Sequence, residues 1–229
     1  MRAVQDAERA AQRFPRTLLI GTTNPNKLRE IRPLLSELPI ELVTLADVPQ
    51  LTEPEETAAT FWENARVKAL AYAKATGLVA VAEDSGLEID ALGGEPGVLS
   101  ARFLGATTPY SVRFQEIFRR LGRGPRDARF VTALALARGS ELLFETETTI
   151  AGVIAAAAAG EHGFGYDPIF FYPPFASTTG QLPPALKAGV SHRARAFRDL
   201  ARFFSSKPGR ADATRAPASA RALLRGAVP

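Results

Sequence analysis

The sequence predicts a mixed β-sheet with helices packed on it, an α/β or α+β architecture. Three observations predict it. Strand-like and helix-like patterns alternate along the chain. The longest strand-like runs form an antiparallel hairpin in the second half, which argues against a purely parallel, doubly wound sheet. The 229 residues are 46% apolar and 23% charged, the mix of a globular protein that buries a sizeable core.

Each element has a local reason. Thr17–Thr22 is a short apolar run followed by a polar turn and an amphipathic segment from Lys27 to Leu38, which reads as strand, loop, helix. Ile40–Thr44 is a second strand. Thr60 with Glu63 makes a capping box for a helix through about Thr76, where Gly77 terminates it. Leu78–Glu83 and Leu87–Asp90 read as two strands around a tight Asp84-Ser85-Gly86 turn. Thr108-Pro109 opens another helix that Gly122 closes. Arg129–Ala137 and Glu141–Ile150 form a hairpin at Gly139-Ser140. Ile169–Tyr172 is an aromatic strand, and Ser191 caps a last helix to about Phe204.

The termini differ from this body. Residues 1–16 read as a polar extension, 17–206 as the folded domain, and 207–229, rich in Ala, Arg, Pro and Gly, as a disordered basic tail. After Ser206 stand five cationic residues and one anionic one, a surplus that equals the formal net charge of +4. The body is neutral, so the basic balance predicts no specific nucleic-acid partner. No stretch is apolar enough for a membrane span and no secretory signal is recognisable, so the expected compartment is the cytoplasm. With no Cys and two His, thiolate chemistry and Cys- or His-rich metal sites are excluded. Any metal is expected on oxygen ligands.

Three polar clusters interrupt the packing pattern, each read as lying in a turn. Thr22-Thr23-Asn24-Pro25-Asn26-Lys27 separates the first strand from the first helix, where backbone amides, the helix dipole and Lys27 suit a phosphate, although the segment is not a P-loop and also fits a plain turn. Glu53, Glu55 and Glu56 precede the capped helix, and Glu83 and Asp84 end a strand that otherwise reads as buried. Carboxylates there need a cation, a proton or donors, and a hard cation such as Mg²⁺ fits. The third cluster is His162 to Pro168 with Lys187 and Ser191-His192-Arg193. Phe164 between glycines offers a stacking face, and His192 and Arg193 are donors for carbonyl or phosphate oxygen. Each has an ordinary structural explanation alone. Together they describe a nucleotide site.

These segments, with Thr60-Phe61-Trp62-Glu63-Asn64-Ala65, Glu83-Asp84-Ser85-Gly86-Leu87, Ala91-Leu92-Gly93-Gly94-Glu95-Pro96-Gly97, Ser100-Ala101-Arg102-Phe103 and Phe164-Gly165-Tyr166-Asp167-Pro168, resemble in order the motifs of the inosine triphosphate pyrophosphatase family, also called Ham1-like. The resemblance runs from about Leu18 to Phe204. It implies an elongated α/β fold with a central substrate cleft, usually a homodimer, hydrolysing ITP, dITP and XTP to the monophosphate and pyrophosphate with Mg²⁺. It further implies substrate contacts from Thr22, Thr23, Asn24, Pro25, Asn26 and Lys27, with Lys27 on the phosphates. Asp84 becomes the general base and a metal ligand, with Glu56 favoured as the second. Ser85 touches the nucleotide, while Phe164, Gly165, Tyr166, Asp167, Lys187, His192 and Arg193 enclose the base and the remaining phosphate charge. Donors from His192, Arg193 or nearby backbone would satisfy O6 of the base.

Three positions depart from the family pattern: Thr23 replaces a Gly, Glu83 stands where many bacterial relatives have Asp, and the acidic pair common before the Lys is absent before Lys187. A Maf-like pyrophosphatase and a non-catalytic nucleotide- or RNA-binding protein are the competing readings. The Phe164–Asp167 and Ser191–Arg193 motifs argue against the first, and the neutral body with Asp84 against the second.

Overall fold

The computed structural model describes residues 15–205; the expected disordered tail and all but the last two residues of the expected N-terminal extension lie outside the described residues. Seven strands form one mixed sheet in the order β2-β1-β3-β4-β5-β6-β7. β1 (Thr17–Ile20) lies parallel to β2 (Glu41–Thr44) and to β3 (Val79–Ile89). From β3 onward every pairing is antiparallel, through β4 (Asp127–Arg138), β5 (Glu141–Ile154), β6 (Phe170–Tyr172) and β7 (Ser177–Thr178). This is the mixed α/β sheet the alternation predicts, and β4 and β5 are its hairpin.

The helices begin and end for local reasons. α1 (Pro25–Leu35) starts two residues before the expected Lys27, because the Asn24 side chain caps it and Pro25 suits its first turn. α2 (Phe61–Thr76) has the Thr60 cap, and Gly77 ends it at a φ of 71°. α3 (Tyr110–Leu121) and α4 (Pro184–Val190) follow, and α5 (His192–Ser205) opens with the Ser191 hydroxyl accepting from the Ala194 amide.

One expectation fails. Asp84-Ser85-Gly86 is not a turn but the middle of β3, which runs unbroken for 11 residues opposite β4. Alternation therefore sends neighbouring side chains to opposite faces. Val79 and Val81 pack with Ile31, Phe197 and Leu200 under α1 and α5, while Ala80 and Ala82 pack with Phe61, Ala65 and Ala69 under α2. Glu83 continues the first face and Asp84 the second. Gly86 looks like turn punctuation but serves close approach instead. A Cβ there would stand 2.3 Å from Ser100 Oγ and 2.6 Å from the Gly97 carbonyl oxygen. That space matters because Ser100 Oγ accepts from the Leu87 amide at 2.9 Å and donates to the Gly97 carbonyl at 2.6 Å, pinning the 97–102 segment to the sheet.

Gly86→Ala is therefore expected to destabilise the fold by about 1–3 kcal/mol through overpacking. Urea unfolding measures it, and an unchanged midpoint would contradict the contact.

Candidate active site

The cleft, of about 220 Å³, opens where the β1–α1 loop, the middle of β3, the 97–101 segment, the Phe164–Asp167 loop and the start of α5 converge. Asp84 forms its floor, 5% exposed. Its Oδ2 accepts from Asn64 Nδ2 at 3.0 Å and its Oδ1 from the Ser85 amide at 3.0 Å. Asn64 is itself fixed, because its Oδ1 accepts from the Ala58 amide. Burial pushes the Asp84 carboxyl above the ordinary carboxylate range, and Glu56 pushes it the same way against Lys68, Lys27 and Asn64.

Lys68, one helical turn after Asn64, stands between the two carboxylates. It bonds Glu56 and lies 3.9 Å from Asp84 Oδ1. Burial opposes its charge, but Asp84 and Glu56 outweigh burial, so its ammonium is held more firmly than usual. Arg102 adds a second cation to Glu56 and donates to its carbonyl oxygen at 2.6 Å.

On the opposite face of β3, Glu83 Oε1 meets Lys27 Nζ and Arg193 Nε, each at 3.0 Å. Burial works against the Glu83 charge, but Arg193, Lys27 and Lys68 hold its carboxyl well below the ordinary range. The chain of charges continues. Arg193 Nη1 donates to Glu30 Oε2 at 2.7 Å, Glu30 Oε1 accepts from Lys187 at 2.7 Å, and Lys187 bonds Asp167. Arg193 Nη2 donates to Ser85 Oγ at 2.8 Å. Asp167 also accepts from the Phe164 amide at 2.7 Å and from Thr179 Oγ1 at 2.7 Å. Phe164 thus presents its ring with Lys187 at 5.2 Å and Arg193 at 5.3 Å from the centroid.

Most of the expected residues line this cleft: Thr22, Thr23, Asn24, Lys27, Glu56, Asp84, Ser85, Phe164, Gly165, Tyr166, Asp167, Lys187, His192 and Arg193. Pro25 and Asn26 do not. They form the first turn of α1, and Asn26 lines a second, more apolar cavity of about 280 Å³ that shares Phe164 and Lys187 with the cleft. Nor are the α1 amides free for an anion as expected, because Asn24 Oδ1 accepts from the Asn26 and Lys27 amides at 2.9 and 3.3 Å. Tyr166 is buried and donates to the Ser100 carbonyl at 3.0 Å, so it builds the wall. Asn64, Lys68 and Glu30 are among the participants to which the sequence assigned no role. For two of them a signal existed. Asn64 and Lys68 sit four apart on the α2 face that carries Phe61, Ala65, Ala69 and Tyr72, and a lysine on an apolar face asks for a buried partner.

The site fits a hard divalent cation on chemistry. Glu56 and Asp84 are the hard oxygen donors such a cation takes, and the Lys68 ammonium already lies between them. Among the described residues no group of three or more His, Cys, Asp or Glu is placed to hold a metal, so such an ion needs further oxygens from elsewhere. No described helix is long and apolar enough to cross a membrane.

Residues 18–203 match the model of the Ham1 family. The dITP/XTP pyrophosphatase of Thermus thermophilus is 45% identical over 193 residues, covering 83% of this chain and 93% of that protein. The dITP/XTP pyrophosphatase of Listeria monocytogenes is 41% identical over 186 residues, covering 80% and 92%. Among solved structures, a HAM1 protein from Coxiella burnetii superposes with a TM-score of 0.76 at 36% identity, covering 82% of this chain and 98% of that one.

Glu83→Gln leaves Lys27 and Arg193 without their shared charge and is expected to cost about 3–5 kcal/mol near neutral pH. Because the folded carboxyl is held low, its stabilisation is present above the ordinary Glu value of about 4.3 and fades as pH falls below it. Urea unfolding of both proteins across that range measures this. A difference that stays constant as pH falls would contradict it.

Proposed function

The chain belongs to the Ham1 family, and from that premise we propose that its cleft hydrolyses non-canonical purine nucleoside triphosphates, ITP, dITP and XTP, to the monophosphate and pyrophosphate. The observation that carries the reading is Asp84. It is a buried carboxylate, oriented by two donors and raised in proton affinity, in a cleft with lysines on either side of it. A carboxylate so tuned suits a general base.

The steps follow from the residues. Lys27 and Lys68 offer charge to the triphosphate from the two faces of β3. Asp84 takes a proton from a water that attacks the α-phosphorus, the bond from that phosphorus to the bridging oxygen breaks, and pyrophosphate leaves. The cleft is lined by four cationic and four anionic side chains, so it carries no surplus charge to set against a triphosphate. The substrate is therefore expected with a divalent cation, Mg²⁺, which Asp84 and Glu56 would hold. When bound, that ion supplies charge neutralisation and polarises the phosphate. Phe164 stacks the base, and its two flanking cations leave the ring able to accept any purine. Arg193 spends one N–H on each of Nε, Nη1 and Nη2 within the protein, so the 6-keto edge is left to His192, nearby backbone and the remaining N–H groups of Arg193. The same reading places the enzyme in the cytoplasm as a homodimer.

Release of pyrophosphate from ITP with Mg²⁺, compared with ATP, tests the proposal. Asp84→Asn is expected to lower kcat for ITP by about 10²–10⁴ with the circular-dichroism spectrum unchanged. A loss under about tenfold would remove Asp84 from the role of base. Phe164→Ala is expected to weaken kcat/KM for ITP and ATP alike, by about 1–3 kcal/mol, because stacking is indifferent to base identity. A changed ITP/ATP ratio would contradict that.

A further inference from the structure

Five buried side-chain atoms among the described residues have no hydrogen-bond partner, and three of them, Glu83 Oε2, Thr132 Oγ1 and His192 Nδ1, are brought near one another by the strand register and the start of α5. Ser85, Thr132 and Thr148 are aligned across β3, β4 and β5. Arg193 Nη2 donates to Ser85 Oγ, and Thr148 Oγ1 donates to the His192 carbonyl at 2.7 Å. Thr132, between them, therefore lies beneath the His192–Arg193 step. Glu83 is the preceding residue on the same face of β3, with its Oε1 taken by Arg193 and Lys27. Phe130, the preceding residue on that face of β4, stacks on the His192 ring at 4.7 Å and 14°. Buried polar groups in folded proteins are satisfied almost without exception, so three orphans in one corner call for a common partner.

We propose that small side-chain adjustments close a relay in which His192 Nδ1–H donates to Thr132 Oγ1 and the Thr132 hydroxyl donates to Glu83 Oε2. The relay fixes His192 in the tautomer whose Nε2 carries a lone pair toward the cleft. Its direction follows from the groups themselves. Glu83, ionised by two cations on its other oxygen, only accepts. The hydroxyl is the one member able to accept and donate at a single atom. Nδ1 must then hold the imidazole proton. Burial, with Arg193 and Lys187 adding to it and Glu83 opposing, lowers the proton affinity of the ring well below that of a free imidazole, which favours the neutral form.

The consequence concerns specificity and rests on the pyrophosphatase reading. A 6-keto purine carries a proton on N1, whereas adenine carries a lone pair there. An Nε2 acceptor rewards the first and repels the second. His192 thus reads the imino edge of the base, in place of the expected donation to O6, and Thr132 is the positioning residue that sets its polarity.

The chain has only two histidines, and His162 is exposed, so the imidazole nitrogens are resolved by NMR on the full chain labelled at histidine, with His162→Gln assigning the signals. The expected result is a protonated Nδ1 and an unprotonated Nε2 at His192, retained in Thr132→Ser and reversed in Thr132→Val. Protonated Nε2 in the unsubstituted protein, or no change in Thr132→Val, overturns the relay. In kinetics, Thr132→Val is expected to compress the ITP/ATP ratio of kcat/KM by about tenfold, the worth of one hydrogen bond. Thr132→Ser is expected to restore the ratio, and equal losses for both nucleotides count against the relay. Absence of ITP turnover in the unsubstituted protein would sink the activity reading instead, and the NMR result alone then decides the relay.

Discussion

The site depends on one constraint: two consecutive carboxylates, Glu83 and Asp84, in the middle of a continuous buried strand. Because a strand alternates, they cannot share a face. Glu83 is driven toward α1 and α5, where Lys27 and Arg193 meet it, and Asp84 toward α2, where Asn64 and Lys68 meet it. A charge buried without a partner is expensive enough to disrupt the fold. The helices on both faces are therefore bound to supply counter-groups, and the cleft forms where those groups reach the strand. Structure and chemistry have the same origin here. Glu83 is held ionised by two cations on one of its oxygens and serves as the anchor, while Asp84 keeps a raised proton affinity, as its proposed role of base requires.

Much of this was legible in the sequence. The Thr60 cap, the Gly77 terminator, the β4–β5 hairpin and the Ser191 start of α5 each rest on local chemistry that tertiary structure left intact. The β3 break was misread because Asp-Ser-Gly is turn chemistry in isolation, whereas the strand needs Gly86 to admit Ser100 and Gly97. Local propensity lost to packing. Asn24 shows the converse. Its loop suggested open amides for a phosphate, but the side chain spends its oxygen on capping α1. Glu30 was invisible because its two partners, Lys187 and Arg193, lie more than 150 residues away in the chain. Lys68 was visible on the apolar face of α2 and was overlooked.

The network also explains how one cleft holds many charges without distortion. Lys27, Glu83, Arg193, Glu30, Lys187 and Asp167 form a chain of alternating sign that ties β3, α1, α5, α4 and the Phe164 loop together. Each cation that faces a ligand is already paired, so ligand binding exchanges partners rather than filling an electrostatic void. Such a cleft favours a ligand that brings its own counter-charge, which is how a metal-bound triphosphate differs from a free one.

If Asp84 activates water as proposed, the water oxygen ends on the α-phosphorus of a purine triphosphate. A single turnover of ITP in isotopically labelled water, with the products separated and their oxygens assigned by mass spectrometry, tests it most directly. The labelled oxygen is expected in the monophosphate and none in the pyrophosphate. Label in pyrophosphate or in released orthophosphate would place the attack on another phosphorus and contradict it.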